Sequence, residues 1–148
     1  MRREVSQSAW QRVPDTFTLE GLDALARETW QELPARAVLW LSGDLGTGKT
    51  TFAQALTRAA GADGATSPTF ALVQEYETPK GRIVHADCYR LRSAEEAIDL
   101  DLDAAAAAAR LTIIEWPERA GPHIPPPTIR FHFGYDVAPT QRRVSRSP

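Results

Sequence analysis

Residues 39–56, LWLSGDLGTGKTTFAQAL, join an apolar run to a helical pattern through three glycines set within six residues. Ala37–Leu41 is short and almost wholly apolar, as expected of a strand buried on both faces. Gly48 to Ala60 reads as a helix ended by Gly61. Between them, residues 43–50, GDLGTGKT, fit G-x-x-x-x-G-K-[ST] at every fixed position, with the right strand before and helix after. A chain of phosphates must touch several backbone N–H groups at once. Side chains would block that approach, and the loop needs dihedrals that residues with a Cβ avoid. Gly43, Gly46 and Gly48 remove both obstacles. The helix behind aims its free N–H groups and the positive end of its dipole at the anion.

Asp44, Leu45, Gly46, Thr47, Gly48, Lys49, Thr50 and Thr51 are therefore the expected nucleotide-binding stretch. Lys49 reaches the β- and γ-phosphates as a mobile point charge. The Thr50 hydroxyl is placed to ligate Mg2+, which keeps most of its waters and also binds phosphate oxygens. A dinucleotide turn, G-x-G-x-x-G, fails: counted from Gly46, its last position is Thr51.

A magnesium site also needs an acid, usually at the end of an apolar strand beside the loop. Glu115 ends the strongly apolar LTIIE, and Asp87 ends the less apolar RIVHAD. The pattern favours Glu115 as the magnesium-associated acid, binding directly or in the second shell. Asp87 is then free for another task, such as orienting an attacking water; its plainer reading is a turn residue at a strand end.

The 148 residues suit one domain. A net charge of −2 predicts no strong global attraction to nucleic acid or to an anionic membrane. Arg2 and Arg3 at one end, and Arg142, Arg143 and Arg146 at the other, read as solvated, frayed ends, or as contacts to a partner or RNA. Cys88 stands alone, so no intrachain disulfide can form, and a buried structural thiol is expected. His85, His123 and His132 lack a Cys or carboxylate partner at metal-ligand spacing, which argues against zinc. No apolar stretch approaches the ~20 residues of a membrane span, and the start lacks a signal-peptide core. The cytoplasm is the expected compartment, with no membrane partner.

Along the chain, residues 1–16 are expected to be flexible. Leu22, Leu25, Ala26, Trp30 and Leu33 recur at helical spacing over 19–33, with Thr18 as a plausible cap and Pro34 as a stop. Phe70–Tyr76 and Arg82–Asp87 read as strands joined by the turn ETPKGR. Ser93–Leu100 and the alanine-rich Asp103–Arg110 read as helical, Leu111–Ile114 and Thr128–Phe133 as strands. This order, together with the glycine loop, predicts a single-domain α/β fold of the P-loop NTPase kind. It has a mostly parallel central sheet, an antiparallel hairpin and flanking helices, with the domain over 17–135 and a flexible basic tail over 136–148.

Three further stretches join the glycine loop: SPTF (67–70), HADCYRL (85–91) and EWPER (115–119). Each is weak alone; in this order and spacing the four are highly specific, and over roughly residues 17–135 the chain resembles the TsaE family, also called YjeE, of small bacterial ATPases. The resemblance implies ATP and Mg2+ as cofactors and a role in making threonylcarbamoyladenosine beside the anticodon of tRNAs that read ANN codons. In that pathway TsaC builds threonylcarbamoyl-adenylate, TsaD transfers the group to tRNA and TsaB scaffolds TsaD. The family member binds the TsaB–TsaD pair, meets tRNA only indirectly, and hydrolyses ATP to permit repeated turnover without transferring the group itself. Carried over by position, Lys49 and Thr50 match the family's phosphate and magnesium residues, and Glu115 its magnesium-associated acid. Thr69 resembles a switch threonine that senses the γ-phosphate. Asp87, in the H-x-D-x-Y-R element with Tyr89, is implied to matter for hydrolysis. Asp87, Lys49 and Thr69 thus form the expected catalytic set, and Trp116 matches a tryptophan close to the nucleotide. Asp101 stands where relatives often have glycine, a departure that bears on the local turn.

Two other functions fit a nucleotide loop. A small-molecule kinase would need an acceptor pocket and a lid, for which YRLRSAEE (89–96) is the nearest candidate and is short. A nucleotide-dependent binding switch would need no useful turnover. Arg90, Arg92 and Arg119 are all open as an arginine finger.

Overall fold

Leu22, Leu25, Ala26 and Thr29 share one face of a helix and are buried, while the opposite face is solvated. That pattern seats α1 (Gly21–Glu32) on a sheet. Its first turn is tied by the Gly21 N–H, which donates to the Thr18 hydroxyl at 3.0 Å. The computed structural model describes residues 15–18, 20–64, 72–138 and 140–147. The remaining elements are β1 (Asp15–Thr18), β2 (Ala37–Gly43), α2 (Lys49–Ala59), β3 (Val73–Thr78), β4 (Gly81–Asp87), α3 (Leu102–Ala108), β5 (Leu111–Glu115), β6 (Ile129–Tyr135) and β7 (Gln141–Ser147). Short 3-10 turns occupy Cys88–Arg90, Ala94–Leu100 and Pro117–Arg119.

The strands form one sheet in the order β1-β7-β6-β2-β5-β4-β3. The four inner strands β6, β2, β5 and β4 run parallel to one another. The flanks are antiparallel: β3 folds back on β4, and β7 lies between β6 and β1. Register sets Leu41 against Glu115 and Asp87 against Glu115. The P-loop strand and both candidate acids therefore end at the same edge. Carboxyl ends of parallel strands are where open α/β sheets bind ligands.

Alternate residues of the inner strands feed two cores. Leu39, Leu41, Phe131 and Phe133 meet Leu22, Leu25, Phe52 and Leu56 of α1 and α2. On the other face Val38, Val84, Ala86 and Ile114 meet Leu102 and Ala106 of α3. Cys88 is fully buried in this second core. Among the described residues, no helix is long and apolar enough to cross a membrane.

Several expectations need correction. Within the tail expected to be flexible, 136–148, Gln141–Ser147 is a strand paired on both sides, and it places Val144 in the larger core. A sheet ending at β6 would leave that strand's edge open, and β7 closes it. The region expected to be flexible at the start, 1–16, lies outside the described residues up to residue 14, and Asp15 and Thr16 begin β1. The strand expected over Phe70–Tyr76 is Val73–Thr78, with residues 70 and 71 outside the described residues. The alanine helix stops at Ala108 rather than Arg110. The Arg110 N–H instead donates to the Arg82 carbonyl at 2.8 Å, and its guanidinium donates to the Pro34 carbonyl at 2.9 Å and stacks over Trp30. Asp101 sits at φ 47° and ψ 52°, the left-handed conformation that glycine adopts most easily.

Candidate nucleotide-binding site

The loop between β2 and α2 is shaped by its glycines and braced from β6. Gly43 has φ 137°, and a Cβ there would drive into the carbonyl oxygen of Phe133, its partner in the ladder. Gly46 has φ 75°, and a Cβ there would lie 3.0 Å from the Tyr135 hydroxyl oxygen. That hydroxyl donates to the Leu45 carbonyl, and the Arg142 Nε–H reaches the Gly46 carbonyl at 3.3 Å. Thr47 is buried and donates its hydroxyl to the Asp44 carbonyl at 2.7 Å, which draws the loop closed. Helix α2 starts directly behind, its first bond running from the Phe52 N–H to the Gly48 carbonyl.

Lys49 is only 4% exposed. Its Nζ donates to the carbonyls of Gly43 and, at 2.8 Å, Asp44, and lies 4.3 Å from the centre of the Trp116 ring. Burial pushes its pKa below the ordinary lysine value, while Glu115, Glu118, Asp87 and Asp44 act in the opposite direction. The ammonium is thus held inside the loop by groups that a phosphate can replace.

Thr50 and Glu115 meet. The Thr50 hydroxyl donates to Glu115 Oε1 at 2.8 Å, although the two residues are 65 positions apart. Glu115 is 2% exposed, and its other oxygen, Oε2, lies 2.6 Å from His85 Nε2. Asp87, level with Glu115 on the neighbouring strand, accepts the Tyr89 N–H at 3.0 Å. Trp116 follows Glu115 with φ 56°, which turns its ring back over Lys49. Tyr89 packs on Trp116 with ring centres 5.0 Å apart, and the Arg119 guanidinium stacks on both rings. Arg90 and Arg92 are exposed. A cleft of about 210 Å³ lies between loop and wall, lined by Leu45, Gly46, Gly48, Thr51, Tyr89 and Trp116 among others. A larger one of about 780 Å³ shares Thr50, Asp87 and Glu115 and extends past His85 toward β3.

The structure therefore brings Asp44–Thr51, Asp87, Glu115 and Trp116 together at one edge of the sheet; Thr69 lies outside the described residues. A hydroxyl beside a carboxylate is a set of hard oxygen donors and suits magnesium. Among the described residues, no group of three or more His, Cys, Asp or Glu could hold a metal by itself. A magnesium ion beside Thr50 and Glu115 would take its other ligands from phosphate and water. The carboxylate that His85 meets stands 30 residues on in the sequence and comes from a neighbouring strand. The available signal was alternation, which puts His85 on the same face of β4 as Asp87. Tyr135 and Arg142, which brace the loop, carried no signal of their own.

The family model of threonylcarbamoyl adenosine biosynthesis protein TsaE matches residues 16–144. The chain is 42% identical over 98 residues to the tRNA threonylcarbamoyladenosine biosynthesis protein TsaE of Rickettsia bellii, covering 65% of this chain and 67% of that one. It is 42% identical over 101 residues to the protein of the same description from Aquifex aeolicus, covering 66% and 71%. With that of Haemophilus influenzae it shares 30% identity over 132 residues, covering 87% and 84%. Among solved structures, YdiB from Bacillus subtilis superposes with a TM-score of 0.69 at 23% identity, covering 90% of this chain and 85% of that one, a likeness of fold.

Proposed function

This chain belongs to the TsaE family of tRNA threonylcarbamoyladenosine biosynthesis, and on that premise we propose that it is an ATP-binding and ATP-hydrolysing accessory protein. In this reading it acts in the cytoplasm with the TsaB–TsaD complex, meets tRNA through that complex, and leaves the transfer of the threonylcarbamoyl group to its partner. The observation that carries the ATPase reading is the 2.8 Å bond between Thr50 and Glu115 at the foot of a glycine loop that opens a helix. A hydroxyl and a buried acid joined at that point are what a magnesium–nucleotide needs and what a glycine turn of purely structural use does not.

The chain's residues divide the work. Backbone N–H groups of 46–51 receive the phosphates. Lys49 leaves the carbonyls of Gly43 and Asp44 for the β- and γ-phosphate oxygens. Thr50 and Glu115 would hold magnesium, which would neutralise charge on the phosphate oxygens. Asp87, level with Glu115 and lining both clefts, orients the attacking water. Trp116 walls the phosphates, and Thr69 senses the last of them.

Melting curves and ATP turnover, measured alone and with TsaB–TsaD and tRNA, test this. Mg2+-ATP at 100 times its Kd should stabilise the protein by about 2.7 kcal/mol. Lys49→Ala should lose most of that shift while remaining folded. Hydrolysis should be slow alone and faster in the complex. Glu115→Ala should lose the magnesium dependence of binding, and Asp87→Ala should bind but not turn over. An unchanged shift in Lys49→Ala removes the loop from the account. Rapid turnover alone with phosphate passed to a metabolite would make the protein a kinase.

A further inference from the structure

Glu115 is a carboxylate with almost no access to water, so each of its oxygens needs a partner. Thr50 supplies one to Oε1, and the other stands 2.6 Å from His85 Nε2. An ionised carboxylate only accepts hydrogen bonds, so Nε2 carries the hydrogen. His85 is itself 7% exposed, and its backbone is fixed inside the sheet: residue 85 pairs with Ile113 of β5 on one side and with Gln74 of β3 on the other. The imidazole crosses diagonally to the residue two places further up β5. It grips the carboxylate from the side away from Thr50.

A carboxylate held by one oxygen can turn about its last bond. Held by both, it presents a single oxygen in a single direction. We propose that His85 is a positioning residue, which fixes the Glu115 carboxylate so that Oε1 alone faces Thr50 and the magnesium ion of a bound nucleotide. This rests on the magnesium–nucleotide reading above and names a residue which that reading leaves without a task. Partners that orient a ligand or a ligand's neighbour shift metal affinity by about 10–100-fold when removed. A purely structural histidine would shift stability and leave the magnesium response alone.

The measurement is binding of a fluorescent ATP analogue as magnesium is raised from an EDTA baseline, with kcat, KM and melting temperature taken on the same samples. His85→Leu removes the donor. His85→Gln keeps an N–H at about the reach of Nε2, and His85→Asn carries one that falls short. His85→Leu should raise the magnesium concentration for half-saturation by about 10-fold or more, with nucleotide affinity in EDTA unchanged. His85→Gln should restore most of it and His85→Asn should not. Should His85→Leu fail to fold, the Gln and Asn variants decide: a magnesium response near wild type in the first and weakened in the second supports the proposal. Equal responses in both, or a fall in melting temperature with half-saturation unchanged, overturn it. If the wild-type protein binds the analogue with no response to magnesium, the magnesium–nucleotide reading itself falls, and this inference with it.

Discussion

Gly43→Ala should destabilise the fold far more than Gly46→Ala, although the two glycines share one loop. Gly43 holds φ 137°, and its Cβ would drive into the Phe133 carbonyl oxygen and lie 3.0 Å from the carbonyl carbon. The obstacle is mainly the backbone of β6, so it cannot swing aside. Nor can β6 retreat cheaply, because the Phe133 ring is 1% exposed and packs on Phe52 with ring centres 5.6 Å apart. Backbone strain of about 1–3 kcal/mol adds to overpacking of about 1–3 kcal/mol. A loss near 4 kcal/mol lowers Tm by about 8–16 °C in a chain of this size. At Gly46 the obstacle is the tip of Tyr135, a side chain 55% exposed and able to move. The left-handed φ then carries most of the cost, at about 1–2 kcal/mol, and moving the Tyr135 hydroxyl, which donates to the Leu45 carbonyl, adds the rest. Urea denaturation of both variants, each with and without Tyr135→Phe, separates the causes. Tyr135→Phe should recover part of the Gly46→Ala loss and none of the Gly43→Ala loss. A Gly43→Ala loss below about 1 kcal/mol, or its recovery by Tyr135→Phe, would refute the reasoning.

Cys88 is fully buried, and burial pushes its thiol up to about 11. Ellman's reagent at pH 8 should therefore find no reactive thiol in the native protein and one per chain in denaturant. Because the folded value is raised above the ordinary 9.0, its contribution to stability is complete below pH 9 and is lost as pH rises through about 11. Cys88→Ala should flatten the decline of the urea midpoint across that window; an equally steep decline would show that other groups cause it. Asp101→Gly should raise stability by about 0.5 kcal/mol, as relief of a left-handed L-residue outweighs the entropy glycine adds to the unfolded chain. A lowered urea midpoint would show that the Asp101 side chain contributes more to the turn than its backbone strain removes.

What was legible in the sequence was local, and what was not depends on register. The strand, glycine loop and helix of 37–59 could be read because spacing along fewer than 25 residues fixes them. Glu115 could be singled out because all five residues of LTIIE are buried and its strand reads as a continuous apolar run. Strand β7 could not: Val144 is the one apolar residue among the alternate positions 142, 144 and 146 that face inward over QRRVSRS, too little alternation to mark a strand, and the open edge of β6 decides its place. The grip of His85 on Glu115 depends on β4 lying beside β5, which no spacing along the chain states. Trp116 is the instructive case. A bulky residue at φ 56° violates its own backbone preference, and nothing in EWPER predicts it. The conformation is held from outside, by the Trp116 N–H donating to the Leu41 carbonyl at 3.1 Å and by the turn over Pro117–Arg119 that follows. Its result is to bring the ring over Lys49 at the moment the strand ends. Local preference gives way here because the surrounding sheet over-determines the position, which is how strain persists at sites that bind and act.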